Sequence, residues 1–275
     1  MTICVVGCAN RDIVLGVGTL PRAGETVVAT ARTVGVGGKG VNQAIAAALA
    51  GAVTTFVGVV GDDAQEIAAA LQSAGVDADL EHRVGASSSA TVVVDAQGEN
   101  LIVVAAGATE GWRPSPAQVA DADLVVLQLE LGLEVALLAA RAARDAGHRV
   151  VLNASPVLEG SDELAGLVDV LVVNEHEAAA LSSAAGLAPT VVTTLGARGC
   201  RVVDAGVETV IPGIPAEVVD TTGAGDTFCG YLVAGLDEGL AVVDAARLAT
   251  AAASLSVGRA GAAASIPRRA EVVAT

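Results

Sequence analysis

Residues 220–232 read DTTGAGDTFCGYL. Two aspartates, Asp220 and Asp226, flank a run of small residues, and an apolar, helix-like segment follows. Gly223, Ala224 and Gly225 let backbone N–H groups converge on an anion at a helix N-terminus. Asp226 then falls in the first turn of that helix, where the macrodipole favours a carboxylate. A simple cap needs one Asp or Ser and no Gly-x-Gly. A carboxylate beside an anion hole is what phosphoryl transfer uses. The base accepts the proton of an attacking hydroxyl, and the N–H groups stabilise charge on the moving phosphoryl. On this reading Asp226 is the base, the Gly-Ala-Gly run is the anion hole, and Asp220 needs a separate role.

The flanking chain alternates. ICVVGCA (3–9), TTFVGVVG (54–61), LVVLQLE (124–130), RVVLN (149–153), DVLVVN (169–174) and TVVTTL (190–195) read as strands. VNQAIAAALAGA (41–52), AQEIAAALQSAG (64–75) and LEVALLAARAARDAG (133–147) read as helices, and the Ala-rich stretch 245–264 as a packed helix ending near Gly258. This order predicts an α/β fold, a largely parallel sheet with helices on both faces. Residues 13–34 and 87–105 break the pattern with Val/Thr-rich pieces and a bend at Gln97-Gly98. They predict a small separate sheet inserted into one domain spanning 1–275, well placed to act as a lid.

Composition narrows the partners. Apolar residues make up 53% and aromatics 1%, so the core is built from Ala, Val and Leu. Mean hydropathy is +0.62, yet no apolar run reaches the roughly 18–20 residues of a membrane span. MTICVVGCAN lacks a basic segment and reads as a buried strand rather than a signal peptide. A net charge of −16 argues against nucleic acid, since phosphate backbones need clustered cations. Cys4, Cys8, Cys200 and Cys229 have no metal-binding spacing and read as reduced core residues of a cytoplasmic protein. Asn153-Ala154-Ser155 has no meaning as a glycosylation sequon there, and the three histidines are given no role.

Lys39 is the one lysine of the chain, and it sits in GVGGKG (35–40). The turn satisfies GxGxxG, with Asp62 and Asp63 about twenty residues on, but the dinucleotide fingerprint belongs in the first βα turn. A Walker A loop would need Ser or Thr where Gly40 stands. Gly37, Gly38, Lys39 and Asn42 instead combine backbone N–H groups, a cation and an amide. That set suits a polyhydroxylated ligand or its new phosphate.

GGKGVNQA (37–44) and DTTGAGDTF (220–228) resemble the two signature motifs of the PfkB carbohydrate kinases, the ribokinase branch in particular. The resemblance extends over essentially the whole chain. It implies a ribokinase-like three-layer α/β/α fold with a mainly parallel central sheet and a small inserted β-sheet lid. It also implies ATP-dependent phosphorylation of the primary hydroxyl of D-ribose, with Mg²⁺ and a K⁺ activator. Asn10, Asp12, Gly37, Gly38, Asn42 and Glu130 would orient the sugar, and Lys39 would add charge near the new phosphate. NEHE (174–177) resembles the element that organises Mg²⁺ and phosphate, Glu177 acting through water. Asn174, Thr194, Gly196, Gly199 and Gly225 would meet the nucleotide. Asp220 and the Thr222 carbonyl would bind K⁺, with carbonyls of Ser256, Arg259 and Gly261 and with Ser265 nearby. A homodimer through the lid sheet is also implied.

Other acceptors stay open: deoxyribose, a ketohexose or its phosphate, adenosine or pseudouridine. So does a non-catalytic sugar-binding relative. The chain departs from the family by short stretches at 107–124 and at 182–189, where a further helix is usual, which leaves the adenine contacts open.

Overall fold

The computed structural model describes residues 2–181 and 184–274. Its strands are β1 (Thr2–Val6), β2 (Asn10–Gly16), β3 (Ala31–Gly37), β4 (Val53–Val60), β5 (Asp77–His82), β6 (Ser88–Val94) and β7 (Asn100–Ala105). They continue with β8 (Leu124–Gln128), β9 (Arg149–Asn153), β10 (Val170–Asn174), β11 (Thr190–Thr194), β12 (Gly199–Asp204) and β13 (Val207–Pro212). The helices are α1 (Lys39–Leu49), α2 (Gln65–Ala74), α3 (Leu133–Asp145), α4 (Glu175–Ala180), α5 (Ala184–Leu187), α6 (Ala224–Asp237), α7 (Val242–Ser256) and α8 (Arg269–Val272).

The main sheet has the order β13-β12-β11-β10-β9-β8-β1-β4-β5. It is parallel from β5 to β11 and antiparallel across β12 and β13. Side chains alternate between its faces. Ile3 and Val5 join one core cluster with Phe56, Val126 and the helices α1, α6 and α7. Cys4 and Val6 join the other with Val57, Val125 and α3. Burial on both faces explains why these strands read as continuous apolar runs. The order reverses at β1, which lies between β8 and β4, and such a reversal opens a crevice at the C-terminal strand ends.

The second sheet has the order β3-β2-β6-β7. It corresponds to the two segments that broke the alternation, with shifted bounds. β2 begins at Asn10, residues 17–30 carry no strand, and β3 continues to Gly37, straight into the glycine-rich turn. The 87–105 hairpin turns where expected, because Asp95 accepts from the N–H groups of Gln97 (2.9 Å) and Glu99 (3.1 Å). Asp63 ties this sheet to the main body. It accepts from Ser87 N at 2.7 Å and pairs with Arg11 of β2 at 3.0 Å.

Three strands had no counterpart in the expectations. β5 is a mostly exposed, polar edge strand, so it carries no buried-strand signal. β12 and β13 form a hairpin around Ala205 and Gly206, both at positive φ (47° and 81°), a turn normally announced by Asn or Gly in the first place. The Ala-rich helix stops at Ser256, just before Gly258. Of the stretch 182–189, Ser182 and Ser183 lie outside the described residues, and α5 occupies part of the remainder. All four cysteines are free and buried. Trp112, Tyr231, Phe56 and Phe228 are buried as well, so the few aromatics fill the core rather than a surface. Among the described residues no helix is long and apolar enough to cross a membrane.

α6 lies against α1 at very short range. A Cβ at Gly230 would come within 2.3 Å of Ala46 Cβ and 2.7 Å of the Gln43 carbonyl. In an exposed helix Gly→Ala stabilises by roughly 0.5–1 kcal/mol. Here the sign should reverse. We expect Gly230→Ala to destabilise by about 1–3 kcal/mol through overpacking, read as a lower urea midpoint at unchanged slope. A stabilised variant would show that the two helices separate freely.

Candidate active site

The ends of β1 and β8 lead into the site. Gly7 follows β1, Gln128 ends β8, and Glu130 lies two residues beyond. α1 starts against them. Val41 N donates to the Cys8 carbonyl at 3.2 Å, and a Cβ at Gly40 would lie 2.7 Å from Gly7 Cα. Gly38, the N-cap of α1, has φ 91°, a conformation other residues rarely adopt. A Cβ at Gly37 would fall 1.9 Å from Asp12 Oδ2. Gly37, Gly38 and Gly40 thus let two backbone segments and one carboxylate share a space with no room for side chains.

Asp226 is buried in the first turn of α6, behind the N-cap Gly223. Asn42 Nδ2 donates to its Oδ2 and Gln43 Nε2 to its Oδ1, both at 3.0 Å. Gln43 Oε1 in turn accepts from Gln128 Nε2 at 2.8 Å. Glu130 Oε2 accepts from the backbone N of Lys39 at 2.7 Å. Asn10, buried at the start of β2, accepts from the Cys8 thiol at 2.8 Å through Oδ1.

These groups share one electrostatic environment. Burial pushes the Asp12 carboxyl up to about 6, and the Asp226 charge adds to the shift. Burial pushes Glu130 up to about 7, against the opposing pull of Lys39. For Lys39 burial disfavours the ammonium, but the carboxylates of Asp226, Glu130 and Glu177 outweigh it, and its pKa rises. Asp12 Oδ1 and Asn42 Oδ1 are buried without a protein partner. Buried acceptors of this kind call for donors, and hydroxyl groups of a polyol supply them.

Against the start of α6, at Ala224, Gly225 and Phe228, lies a cavity of about 390 Å³. Thr194, Gly196, Gly199, Gly225, Phe228 and Ala253 are among the residues that line it. A narrower space of about 120 Å³ is bordered by Lys39, Asn174, Glu177, Gly223, Gly225 and Asp226, among others. Thr194 and Gly225 border both, so this narrow passage, with Asp226 in its lining, adjoins the apolar cavity. Asn174 and Thr194 sit side by side at the ends of β10 and β11. Asn174 and Glu177 form a reciprocal cap at the start of α4, each contact 2.8 Å. One Glu177 oxygen is therefore committed to backbone. Glu175 pairs with Arg198 and points elsewhere.

The residues assigned to a monovalent cation form a separate cluster. Asp220 Oδ1 accepts from Thr222 N (2.9 Å) and Oγ1 (2.6 Å), and its Oδ2 accepts from Gly261 N at 2.8 Å. These donors outweigh burial and hold its carboxyl below the usual value. The Ser256 carbonyl accepts from Arg259 N at 3.0 Å, while the Arg259 guanidinium turns away to Glu271. Ser256 and Ser265 are buried, and Ser265 Oγ donates to the Ala262 carbonyl at 2.8 Å. Among the described residues no cluster of three or more His, Cys, Asp or Glu side chains could hold a metal.

Gln43, Gln128 and Asn153 border this machinery without having been singled out. Gln43 stands in the quoted motif GGKGVNQA, but α1 is buried all round from Gly40 to Ala47, so no polar face marked it as special. Asn153 pairs in register with Gln128 at the strand ends.

The model of the pfkB family of carbohydrate kinases matches residues 1–269. The chain is 37% identical to the ribokinase of Haemophilus influenzae, covering 99% of this chain and 97% of that one. It is 38% identical to the ribokinase of Bacillus subtilis, covering 98% and 97%. The Arabidopsis thaliana ribokinase solved with ribose and ATP superposes with a TM-score of 0.89 at 32% identity, over 99% of this chain and 97% of that one. With a family model spanning nearly the whole length and relatives above one-third identity, the chain belongs to the pfkB family of carbohydrate kinases.

Proposed function

We propose that this protein transfers the γ-phosphoryl group of ATP to the primary hydroxyl of D-ribose, giving ribose 5-phosphate and ADP. The observation that carries this reading is the place of Asp226. It borders the narrow passage that adjoins the apolar cavity, and it is bonded to Asn42, whose Oδ1 is one of the buried acceptors without a protein partner. The sugar hydroxyl gives its proton to Asp226 as its oxygen bonds to the γ-phosphorus, and the bond from that phosphorus to the β,γ-bridging oxygen breaks. N–H groups of Gly223 and Gly225 and the ammonium of Lys39 meet the charge on the phosphoryl, joined by the Ala224 N–H once it leaves the Thr221 carbonyl, to which it donates at 3.2 Å. Asn10, Asp12, Gly37, Gly38, Asn42 and Glu130 orient the sugar, and the adenine side rests against Thr194, Gly196, Gly199 and Gly225.

Two ions fit the residues present. Glu177 keeps one carboxylate oxygen on the narrow passage, where it would hold Mg²⁺ through water beside Asn174; the ion supplies charge neutralisation to the phosphates. Asp220, with carbonyls of Thr222, Ser256, Arg259 and Gly261 and with Ser265 nearby, would hold K⁺ and brace the loop before the anion hole. The second sheet acts as the lid that excludes water. Its β7 exposes Leu101, Ile102, Val103 and Val104, which a second copy of the chain would cover in a homodimer. Four reduced, buried thiols suit a cytoplasmic enzyme.

Three outcomes are expected. ADP formation should be strong with ribose and weak with deoxyribose, fructose, fructose 6-phosphate, adenosine and uridine. Asp226→Asn should still bind ribose in calorimetry but lose roughly 10²–10⁴ in turnover; near-normal turnover would refute the base assignment. Ribose affinity should rise with pH. Asp12 and Glu130 hold their protons up to about 6 and about 7, and the sugar needs them as acceptors. Binding at pH 6 should therefore be weaker than at pH 8 and should release protons to the buffer. The linkage to folding has the opposite slope. The native state binds more protons than the unfolded chain between about pH 4 and 7, so these two groups make the unliganded protein less stable as pH rises through that window.

Light scattering should give twice the chain mass, falling to one chain in Ile102→Asp/Val104→Asp. A monomeric wild type would remove the dimer.

A further inference from the structure

Gln43 and Gln128 border neither cavity, yet they form a buried chain that ends on the proposed base. Gln43 is fully buried and Gln128 nearly so. Gln128 Nε2 donates to Gln43 Oε1 at 2.8 Å, and Gln43 Nε2 donates to Asp226 Oδ1 at 3.0 Å. An ionised carboxylate only accepts, so Gln43 must turn its NH₂ to Asp226. Its carbonyl then faces Gln128, which must donate in its turn. The polarity of the whole chain follows from one end. It leaves Gln128 Oε1 as a buried acceptor without a protein partner, close to Gly7, where a Cβ would lie 2.2 Å from it.

We infer that Gln43 and Gln128 are positioning residues for Asp226, with Gln128 locking the Gln43 amide so that NH₂, and not the carbonyl, faces the base. The inference rests on the reading of Asp226 as the base. Asn42 holds the other oxygen from the adjacent position of α1, so the two amides fix the plane of the carboxylate relative to that helix. One lone pair on each oxygen is taken, and the proton of the sugar hydroxyl must arrive on another. Without the Gln128 donor, the Gln43 amide is free to flip. Its carbonyl would then face Asp226 Oδ1, repel the carboxylate, turn it out of line and make it hold its proton more tightly. Lys39 from the start of α1, Asp12 from β2, Glu130 beyond β8 and Cys229 from α6 also act on Asp226. All four are retained in the variants below.

The test is a double-mutant cycle on the full chain with ribose, ATP and Mg²⁺. Gln128→Leu and Gln43→Leu should each lower kcat by roughly 10- to 100-fold through misplacement of the base. The ribose KM should stay near that of the wild type, and the acid limb of kcat should move to higher pH. The double variant should be no worse than Gln43→Leu alone, because Gln128 acts only through Gln43. Gln128→Glu gives a second, nearly isosteric variant that serves if the leucine proteins fail to fold. Its side chain donates only when protonated, so its kcat should fall at higher pH as the new glutamate ionises, adding to the acid limb of Asp226 a basic limb that the wild type lacks. An unchanged kcat and pH profile in Gln128→Leu, losses that multiply in the double variant, or a wild-type profile in Gln128→Glu would each overturn the inference. If Asp226→Asn retains turnover, the base assignment falls and this inference with it. If Asp226→Asn is inactive while the Gln128 variants are normal, only this inference falls.

Discussion

The first strand and the first long helix touch backbone to backbone, and the rest of the site depends on that contact. Gly7 follows β1, Gly40 lies in the first turn of α1, and a side chain on either would collide with the other segment. The contact sits where the strand order reverses, so α1 starts directly over the crevice between β1 and β8. From there Asn42 and Gln43 reach Asp226 on α6, and Lys39 lies beside Glu130. Moving α1 outward by the width of a methyl group would separate the amides from the carboxylate. α6 is held equally close through Gly230, so both partners of the Asn42–Asp226 and Gln43–Asp226 bonds are placed by glycine contacts.

This geometry concentrates charge that the composition alone would disperse. Glu130, Asp226 and Glu177 act on a single ammonium, and Asp12 stands within reach of Asp226 and Glu130; burial, with repulsion added, raises Asp12 to about 6 and Glu130 to about 7. On the proposed function, such a pocket is suited to a neutral, hydroxyl-rich acceptor. It would repel a phosphorylated sugar, which brings charge without a cation to meet it. On the same reading the triphosphate would meet the N-terminus of α6 and Lys39, which border the narrow passage. A chain with a net charge of −16 can thus handle a polyanion, because the positive potential is local.

Much of this is legible in the amino-acid sequence. The buried parallel strands announce themselves as apolar runs, and the two glycine-rich motifs mark the turns that need glycine for physical reasons. The bounds of the second sheet were harder. β3 runs into the glycine turn without any break in composition, so its end at Gly37 is set by pairing with Asn10 across the ladder rather than by a local signal. β5 was hidden by its polar, exposed residues, and the β12–β13 hairpin by an alanine at positive φ. Gln43 and Gln128 were invisible for a different reason. A hydrogen bond between positions 85 residues apart leaves no trace in periodicity, and a polar residue inside a fully buried helix looks like any other motif position.

On the proposed function the two sides of Asp226 follow opposite rules, and that contrast would let one side tolerate a shortened chain. The sugar side is specified by fixed polar atoms, each needing a partner at hydrogen-bond distance, so small displacements leave acceptors unpaired. The nucleotide side is an apolar cavity whose hydroxyls are largely spoken for. Thr250 donates to the Ala246 carbonyl, Ser254 to Ala251, and Thr194 contacts the Val173 carbonyl. Apolar contact is non-directional and tolerates adjustment of the wall. Among the described residues, none of 107–124 or of 186–189 lines either space. Loss of length there leaves the directional contacts around Asp226 untouched, and a surface that binds by shape can absorb what remains.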